Sequence, residues 1–129
     1  MSTEPIFAAF IVCRRSDGRI AATTRRDGKS LGLPGGKVES SDCHPMDAAY
    51  REAEEEGWGA IRAGRVYGTY RAKVDGRLVV WYLHELNGLK PLKKYKERGS
   101  GIRPRWVKRS ALVGVGNPEA LASLLGETR

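Results

Sequence analysis

The chain has 129 residues, 40% of them hydrophobic and 29% charged, which predicts a single domain over residues 1–129 and excludes the apolar-poor composition of disordered proteins. A formal net charge of +8 favours an anionic partner, although excess charge serves solubility equally well. Cys13 and Cys43 lie in unrelated contexts, which excludes a disulfide framework. The longest apolar stretch, residues 6–13, is too short to span a membrane. We therefore expect a cytoplasmic protein with no membrane partner.

The first half of the chain has the pattern of a hairpin, a loop and a helix. Residues 6–13 predict a buried strand, the Ser-Asp-Gly sequence at 16–18 a turn, and residues 19–24 a second strand. Proline and paired glycines then predict a loop within residues 31–36. Residues 45–56 predict a helix, because proline opens the segment, strong helix formers fill it and a glycine follows it.

The second half of the chain predicts another hairpin and a long connection. Residues 65–72 and 77–86 are rich in β-branched and aromatic side chains, with the turn sequence Asp-Gly between them. Residues 87–101 are polar, basic and contain glycine, which predicts a mobile binding loop. A short closing strand is expected at residues 105–108.

The predicted helix carries a cluster of carboxylates. Glu52, Glu55 and Glu56 stand at positions i, i+3 and i+4, so they share one helix face. Like charges at this spacing repel each other, and hard cations such as Mg²⁺ or Mn²⁺ prefer oxygen ligands of this kind. An acidic run alone is more often a solvated face. Here a backbone carbonyl of the glycine pair, at Gly36, can turn to the same ion, and Lys37 adds a positive group for phosphate oxygens.

These residues belong to a longer pattern. The segment Leu-Pro-Gly-Gly-Lys-Val-Glu at 33–39, followed by Ala-Ala-Tyr-Arg-Glu-Ala-Glu-Glu-Glu-Gly at 48–57, resembles the Nudix box, a loop-helix-loop motif of metal-dependent hydrolases. The sequence departs from the box at three points. The loop glutamate is replaced by Asp42, one extra residue precedes Arg51, and the glycine after the paired glutamates comes one position early.

The resemblance implies a fold, a cofactor and a set of roles. The fold would be α/β (α+β), a Nudix-type α/β/α sandwich with a central mixed sheet, and the cofactor Mg²⁺ or Mn²⁺. Glu55 and Glu56 would be the principal metal ligands, Glu52 a further ligand or the base, and the Gly36 carbonyl a backbone ligand. Arg51 would orient a glutamate, although a surface i,i+4 pair with Glu55 also explains it.

A further glutamate is implied by MutT-like members of the family, in which a loop before the closing Trp-Val segment supplies a catalytic carboxylate. Glu97 is the acidic residue available in this loop. A solvated ion pair with Lys94 or Arg98 explains it equally well. The sequence therefore leaves open whether Glu52 or Glu97 is the base.

Several residues are candidates for substrate binding. Arg25, Arg26 and Lys37 would contact phosphate, and Tyr70 would offer a stacking face for a base. Asn117 is similar to the base-reading asparagine of MutT-like enzymes, but capping of a helix that begins there explains it as well. The loop basic residues are further phosphate candidates: Lys90, Lys93, Lys94, Lys96 and Arg98.

Three functions stay open at this point. The first is a MutT-type nucleoside triphosphate pyrophosphohydrolase acting on a small anionic nucleotide-like substrate. The second is a hydrolase of dinucleoside polyphosphates or diphosphoinositol polyphosphates, which the basic loop favours. The third is a non-catalytic Nudix-fold module that binds nucleotide or RNA, so nucleic acid is a possible partner but not the favoured one. Either a monomer or a homodimer is compatible with the sequence.

Overall fold

The computed structural model describes residues 4–60, 65–86, 88–112 and 122, so the helix predicted to begin at Asn117 lies outside the described residues. Within these ranges the chain contains no helix with the length and apolar character that a membrane crossing requires. The elements follow in the order β1 (Ile6–Val12), β2 (Ile20–Thr24), β3 (Leu31–Gly32), β4 (Gly35–Lys37), α1 (Pro45–Glu55), β5 (Trp58–Ala60), β6 (Arg65–Val74), β7 (Arg77–Glu85), β8 (Leu89–Pro91), β9 (Pro104–Val107) and a 3₁₀ turn (Arg109–Ala111).

The central sheet has four strands in the order β4-β1-β7-β6. Strand β1 runs parallel to β7 and antiparallel to β4, and β6 pairs antiparallel with β7. A three-stranded sheet, β3-β2-β9, and the pair β5-β8 complete the strands of the described part. The predicted α+β class with a central mixed sheet is therefore confirmed.

The predicted first hairpin is only partly formed. Its turn is present, because Arg15 N–H donates to the carbonyl of Arg19 at 2.7 Å, but β1 and β2 belong to different sheets. The reason lies in β2, whose five residues are all buried, so neither face of this strand is left for solvent. Apart from an isolated antiparallel bridge between Arg14 and Ile20, β2 pairs with β3 and β9.

Helix α1 packs closely on the central sheet. His44 N–H donates to the Oδ2 atom of Asp47 at 3.0 Å and so caps the first turn. The buried face consists of Ala48, Ala49 and Ala53, and these small side chains allow the helix to approach β1. The predicted helix is thus confirmed, with Glu56 as its C-cap. Packing places the last turn of α1 beside the glycine-rich strand β4.

The described part of the predicted mobile loop, residues 88–101, is more structured than the sequence indicated. It contains β8, which pairs with β5, and it is attached by hydrogen bonds to the end of α1. Leu92 N–H donates to the carbonyl of Gly57 at 2.7 Å, and Glu97 N–H donates to that of Glu55 at 2.9 Å. The hydroxyl of Tyr95 donates to the carbonyl of Ile102 at 3.0 Å. These contacts fix the segment in place although it has little regular structure.

Candidate active site

The end of α1 faces the glycine pair of β4. Gly35 N–H donates to Oε1 of Glu56 at 3.1 Å. A methyl group on Gly36 would lie only 2.7 Å from Cδ of Glu52, so the Glu52 carboxyl group packs directly against the backbone of this strand. At Gly35, φ is +140°, and a side chain there would collide with the carbonyl oxygen of Ala9. Glycine is therefore needed at Gly36 for the approach of the Glu52 carboxyl group and at Gly35 for the approach of β1.

Two of the carboxyl groups, those of Glu52 and Glu56, have raised pKa values, mainly because they are partly buried. Burial raises the pKa of Glu56 to about 8, and the charges of Glu52 and Glu55 add to this effect. The Gly35 N–H and the cation of Arg25 oppose it only in part. Burial also raises the pKa of Glu52, against the influence of the Arg51 guanidinium. The end of α1 is thus a half-buried, negatively charged site that a cation would stabilise.

Arg51 connects the box loop with this site. Its Nε and Nη2 atoms donate to the two carboxylate oxygens of Asp42 at 3.2 and 3.0 Å, and its Nη1 atom donates to Glu52 at 3.0 Å. Asp42 has only 5% of its side chain exposed and also accepts the Glu39 N–H at 2.8 Å, and its pKa is lowered by these hydrogen bonds. The i,i+4 contact with Glu55 exists at the longer distance of 3.8 Å. The Arg51 guanidinium thus bridges Asp42 and Glu52, a geometry that the expected orienting role would need.

We expect Arg51→Lys and Asp42→Asn each to lower kcat/KM by roughly 10- to 100-fold, as loss of an orienting contact behind a metal ligand usually does. Lysine cannot reproduce the paired contact of a guanidinium with a carboxylate. Steady-state kinetics and metal titration measure the effect. The control is Arg71→Lys, because Arg71 is exposed on β6. Wild-type kinetics and metal affinity in Arg51→Lys would refute the orienting role.

Glu97 lies at the edge of the site and pairs with an unexpected partner. Its carboxylate accepts a hydrogen bond from Arg26 at 3.0 Å instead of pairing with Lys94 or Arg98. Glu97 has 22% of its side chain exposed, and its backbone is attached to Glu55. The pair connects two segments that lie 71 residues apart. In this conformation the Arg26 guanidinium is therefore paired with the Glu97 carboxylate.

A cavity of about 460 Å³ opens beside the glycine pair and Glu56. The guanidinium of Arg25 lies on Gly32, where a methyl group would come within 3.1 Å of it, and within the described ranges it has no acidic partner at hydrogen-bond distance. This volume is within the range of small-molecule sites. The wall is formed by Phe10, Thr23, Thr24, Arg25, Arg26, Gly32, Leu33, Gly35, Gly36, Glu56 and Ile102.

Of the other predicted substrate contacts, Lys37 stands apart from this wall and two lie wholly or partly outside the described part. Lys37 is exposed and does not line the cavity, although its carbonyl accepts a hydrogen bond from Arg51 at 3.3 Å. Tyr70 lies in β6 opposite Trp81, and its side chain is outside the described part, as is the whole of Asn117. The apolar wall residues Phe10, Leu33 and Ile102 were not predicted, because no local pattern in the sequence marks them.

A second depression, of about 390 Å³, lies beside Glu55. Two of the predicted basic loop residues, Lys94 and Lys96, line it together with Tyr95. The Nζ atom of Lys96 is 3.9 Å from Oε2 of Glu55. Glu56 therefore lines the first cavity, and Glu55 lines the second.

Comparisons with known proteins agree with this arrangement. The family model described as NUDIX domain matches residues 5–124. No curated protein matches the chain significantly. Among solved structures, a MutT NUDIX hydrolase from Burkholderia pseudomallei is similar at 21% identity, with a TM-score of 0.67 and coverage of 98% of this chain and 99% of that one.

Two further structures have the same fold. A NUDIX hydrolase from Nitrosomonas europaea is 16% identical, with a TM-score of 0.74 and coverage of 96% of this chain and 88% of that one. The E. coli ORF135 protein is 19% identical, with a TM-score of 0.67 and coverage of 95% of this chain and 88% of that one. Because the family model spans nearly the whole chain and the box residues come together at one site, the chain belongs to the NUDIX domain family and is a Nudix hydrolase.

Proposed function

We propose that the chain is a metal-dependent pyrophosphohydrolase of the MutT type, which splits a nucleoside triphosphate into a nucleoside monophosphate and pyrophosphate. The observation that carries the proposal is the approach of Glu52 and Glu56 to the glycine pair, at the wall of a cavity that Arg25 also lines. Among the described residues, the Arg25 guanidinium has no acidic partner at hydrogen-bond distance. The similarity to a solved MutT NUDIX hydrolase supports the choice of substrate class.

A divalent cation fits the chemistry of this donor set. Glu52, Glu55 and Glu56 offer oxygen ligands, and burial together with mutual repulsion favours any cation that replaces the proton on Glu56. Among the described residues, no three acidic, histidine or cysteine side chains are already grouped as a metal site. Ligation by Glu56 would therefore need its carboxylate to turn from its present partner, the Gly35 N–H.

The residues of the site would divide three roles in hydrolysis: holding the metal, binding phosphate and accepting a proton. When bound, the metal would neutralise phosphate charge and activate water. Glu55 and Glu56 would hold it, and Arg25 would bind phosphate oxygens at the cavity wall. Glu52 would accept the proton of the attacking water, because its raised pKa suits a base and Arg51 fixes its position. Glu97 is the weaker candidate, since Arg26 occupies its carboxylate.

The proposal is tested by incubating the protein with a panel of nucleoside triphosphates and Mg²⁺ or Mn²⁺, and by measuring product masses. We expect a nucleoside monophosphate and pyrophosphate, no turnover after removal of metal with a chelator, and recovery when metal is restored. Release of a single phosphate would contradict the proposed position of cleavage. Turnover that persists in excess chelator would contradict the metal dependence.

A second candidate function is the hydrolysis of longer polyphosphates. The observation in its favour is the second depression beside Glu55, whose lysines could take up phosphate groups beyond the scissile bond. Dinucleoside polyphosphates and diphosphoinositol polyphosphates belong in the same panel for this reason. A kcat/KM value that is higher for these compounds than for every nucleoside triphosphate would favour the second function.

A further inference from the structure

The second depression is bounded by a loop whose position the fold fixes. The loop backbone is attached to the end of α1 through the N–H groups of Leu92 and Glu97. The hydroxyl of Tyr95 donates to a carbonyl seven residues later at 3.0 Å. The lysines on either side of this tyrosine line the depression, and both are exposed. Lys94 and Lys96 are therefore held at the depression by their backbone, while their ammonium groups face water.

A row of contacts connects this depression with the carboxylates of α1. The Nζ atom of Lys96 is 3.9 Å from Oε2 of Glu55, and the same oxygen is 3.8 Å from Nη1 of Arg51. That guanidinium nitrogen donates to Oε1 of Glu52 at 3.0 Å. Lys96 has 70% of its side chain exposed and Glu55 has 25%, so a ligand can reach both side chains. A ligand in the second depression would therefore border the proposed reaction centre.

The charges around the depression favour an anion. Within the described part of the chain, Lys94 forms no ion pair, and the single pair of Lys96 is the long one with Glu55. Glu54 lines the same depression, but it is exposed, so water screens its charge. A divalent cation held by Glu55 would neutralise the remaining carboxylate beside Lys96. Lysine binds phosphate as a point charge, so phosphate oxygens are suitable partners for both ammonium groups.

The two ends of a nucleoside triphosphate differ in the same way as the two cavities. The cavity that Glu56 lines has apolar wall residues that suit a base, which are Phe10, Leu33 and Ile102. The depression that Glu55 lines has lysines that suit phosphates. In the proposed hydrolysis, water adds to the α-phosphorus and gives its proton to the base, and the bond from this phosphorus to the bridging oxygen breaks. That oxygen keeps the electron pair, and the β- and γ-phosphates leave as pyrophosphate on the Glu55 side.

We propose that Lys94 and Lys96 bind the terminal phosphate of the leaving pyrophosphate and thereby make the enzyme prefer nucleoside triphosphates to nucleoside diphosphates. The inference rests on the proposed function, because it assigns specificity residues to the same site. A nucleoside diphosphate has no phosphate at that position, so it is hydrolysed without this contact. The contact lowers the barrier for the triphosphate alone, and its effect appears in the ratio of the two kcat/KM values.

The test compares Lys96→Gln and Lys96→Arg with the wild type on a nucleoside triphosphate and the matching diphosphate. We expect Lys96→Gln to lower kcat/KM for the triphosphate by roughly tenfold, as loss of a charge-assisted hydrogen bond does, and to leave the value for the diphosphate nearly unchanged. Lys96→Arg keeps the positive charge and should retain most of the preference. Adding Lys94→Gln to Lys96→Gln should reduce the preference further. The control is Lys73→Gln, an equal loss of charge at an exposed position of β6, which should alter neither value.

Binding of inorganic pyrophosphate provides a measurement without turnover. Calorimetric titration in saturating Mg²⁺ should show roughly tenfold weaker binding to Lys96→Gln than to the wild type, and unchanged binding to Lys73→Gln. The affinity for Mn²⁺ alone should stay equal or rise in Lys96→Gln, because a lysine beside Glu55 repels a second cation there. A structural effect on the metal site would instead weaken Mn²⁺ binding, so the two titrations distinguish it from a contact with phosphate.

The outcomes separate the two proposals. Wild-type protein that hydrolyses no nucleoside triphosphate would overturn the proposed function and this inference with it. Three results would overturn the inference alone: a wild type without preference for triphosphates, equal losses for both nucleotides in Lys96→Gln, or an unchanged pyrophosphate affinity in that variant. Loss of both the preference and the pyrophosphate affinity in Lys96→Gln, with both kept in Lys73→Gln, would support it.

Discussion

We expect Glu55→Gln and Glu56→Gln each to lower kcat by about a thousandfold or more, since a ligand to a catalytic metal supplies several kcal/mol of transition-state stabilisation. Glutamine keeps the size of the side chain but removes the charge that the proposed cation needs. Glu56 contacts Gly35 and lines the cavity, and Glu55 lies between Arg51 and Lys96. Single-turnover kinetics with saturating Mg²⁺ measures the loss of the chemical step.

The same helix provides the matched control. Glu54 directly precedes the two proposed ligands in the chain and is exposed, so Glu54→Gln should keep turnover within about threefold, as most surface substitutions do. Circular dichroism and thermal unfolding verify that all three variants fold. If either Glu55→Gln or Glu56→Gln turned over at the wild-type rate, the acidic end of α1 would not be the catalytic centre.

The parts of the site that the sequence predicted are those that depend on local spacing. Glu52, Glu55 and Glu56 lie within little more than one turn of helix, and the helical period alone places them on one face. Gly35 and Gly36 were recognisable as well, because they follow a proline and precede the helix in the pattern of the box. The structure adds the reason for each glycine: the Glu52 carboxyl group closely approaches Gly36, and β1 closely approaches Gly35.

The parts that were not predicted depend on contacts between distant segments. Glu97 pairs with Arg26 across 71 residues, and no property of either residue in the sequence indicates the pair. Strand β2 was expected to pair with β1, but it pairs with β3 and β9, and both of its faces are buried. Strands of two or three residues, such as β3, β4 and β8, are too short to show a period.

Glu56 should make the stability of the metal-free protein fall as pH rises. Its pKa is about 8 in the folded protein, against an ordinary value of 4.5, so the folded state binds the proton more tightly than the unfolded state. The resulting stabilisation is complete below about pH 4.5 and is lost as the pH rises through about 8. One unit of pKa difference corresponds to about 1.4 kcal/mol, so several kcal/mol are at stake. Urea unfolding in a chelator between pH 5 and pH 8.5 measures the fall.

Glu56→Gln isolates this contribution from the other titrating groups. Burial lowers the pKa of His84, so below the ordinary histidine value of 6.5 its titration makes stability rise with pH and opposes the effect of Glu56. Hydrogen bonds lower the pKa values of Asp17 and Asp27 to about 2, so these two groups change stability only in acid. These groups are common to both proteins, so the difference in unfolding free energy between wild type and variant reports Glu56. As the pH rises to about 8, we expect the wild type to lose stability relative to the variant. Mg²⁺ should restore the stability of the wild type, because a ligand that binds the native state stabilises that state. A difference that is the same at pH 5 and pH 8.5 would mean that the carboxylate is not held in a buried, acidic environment, and the electrostatic reason for placing a cation there would be lost.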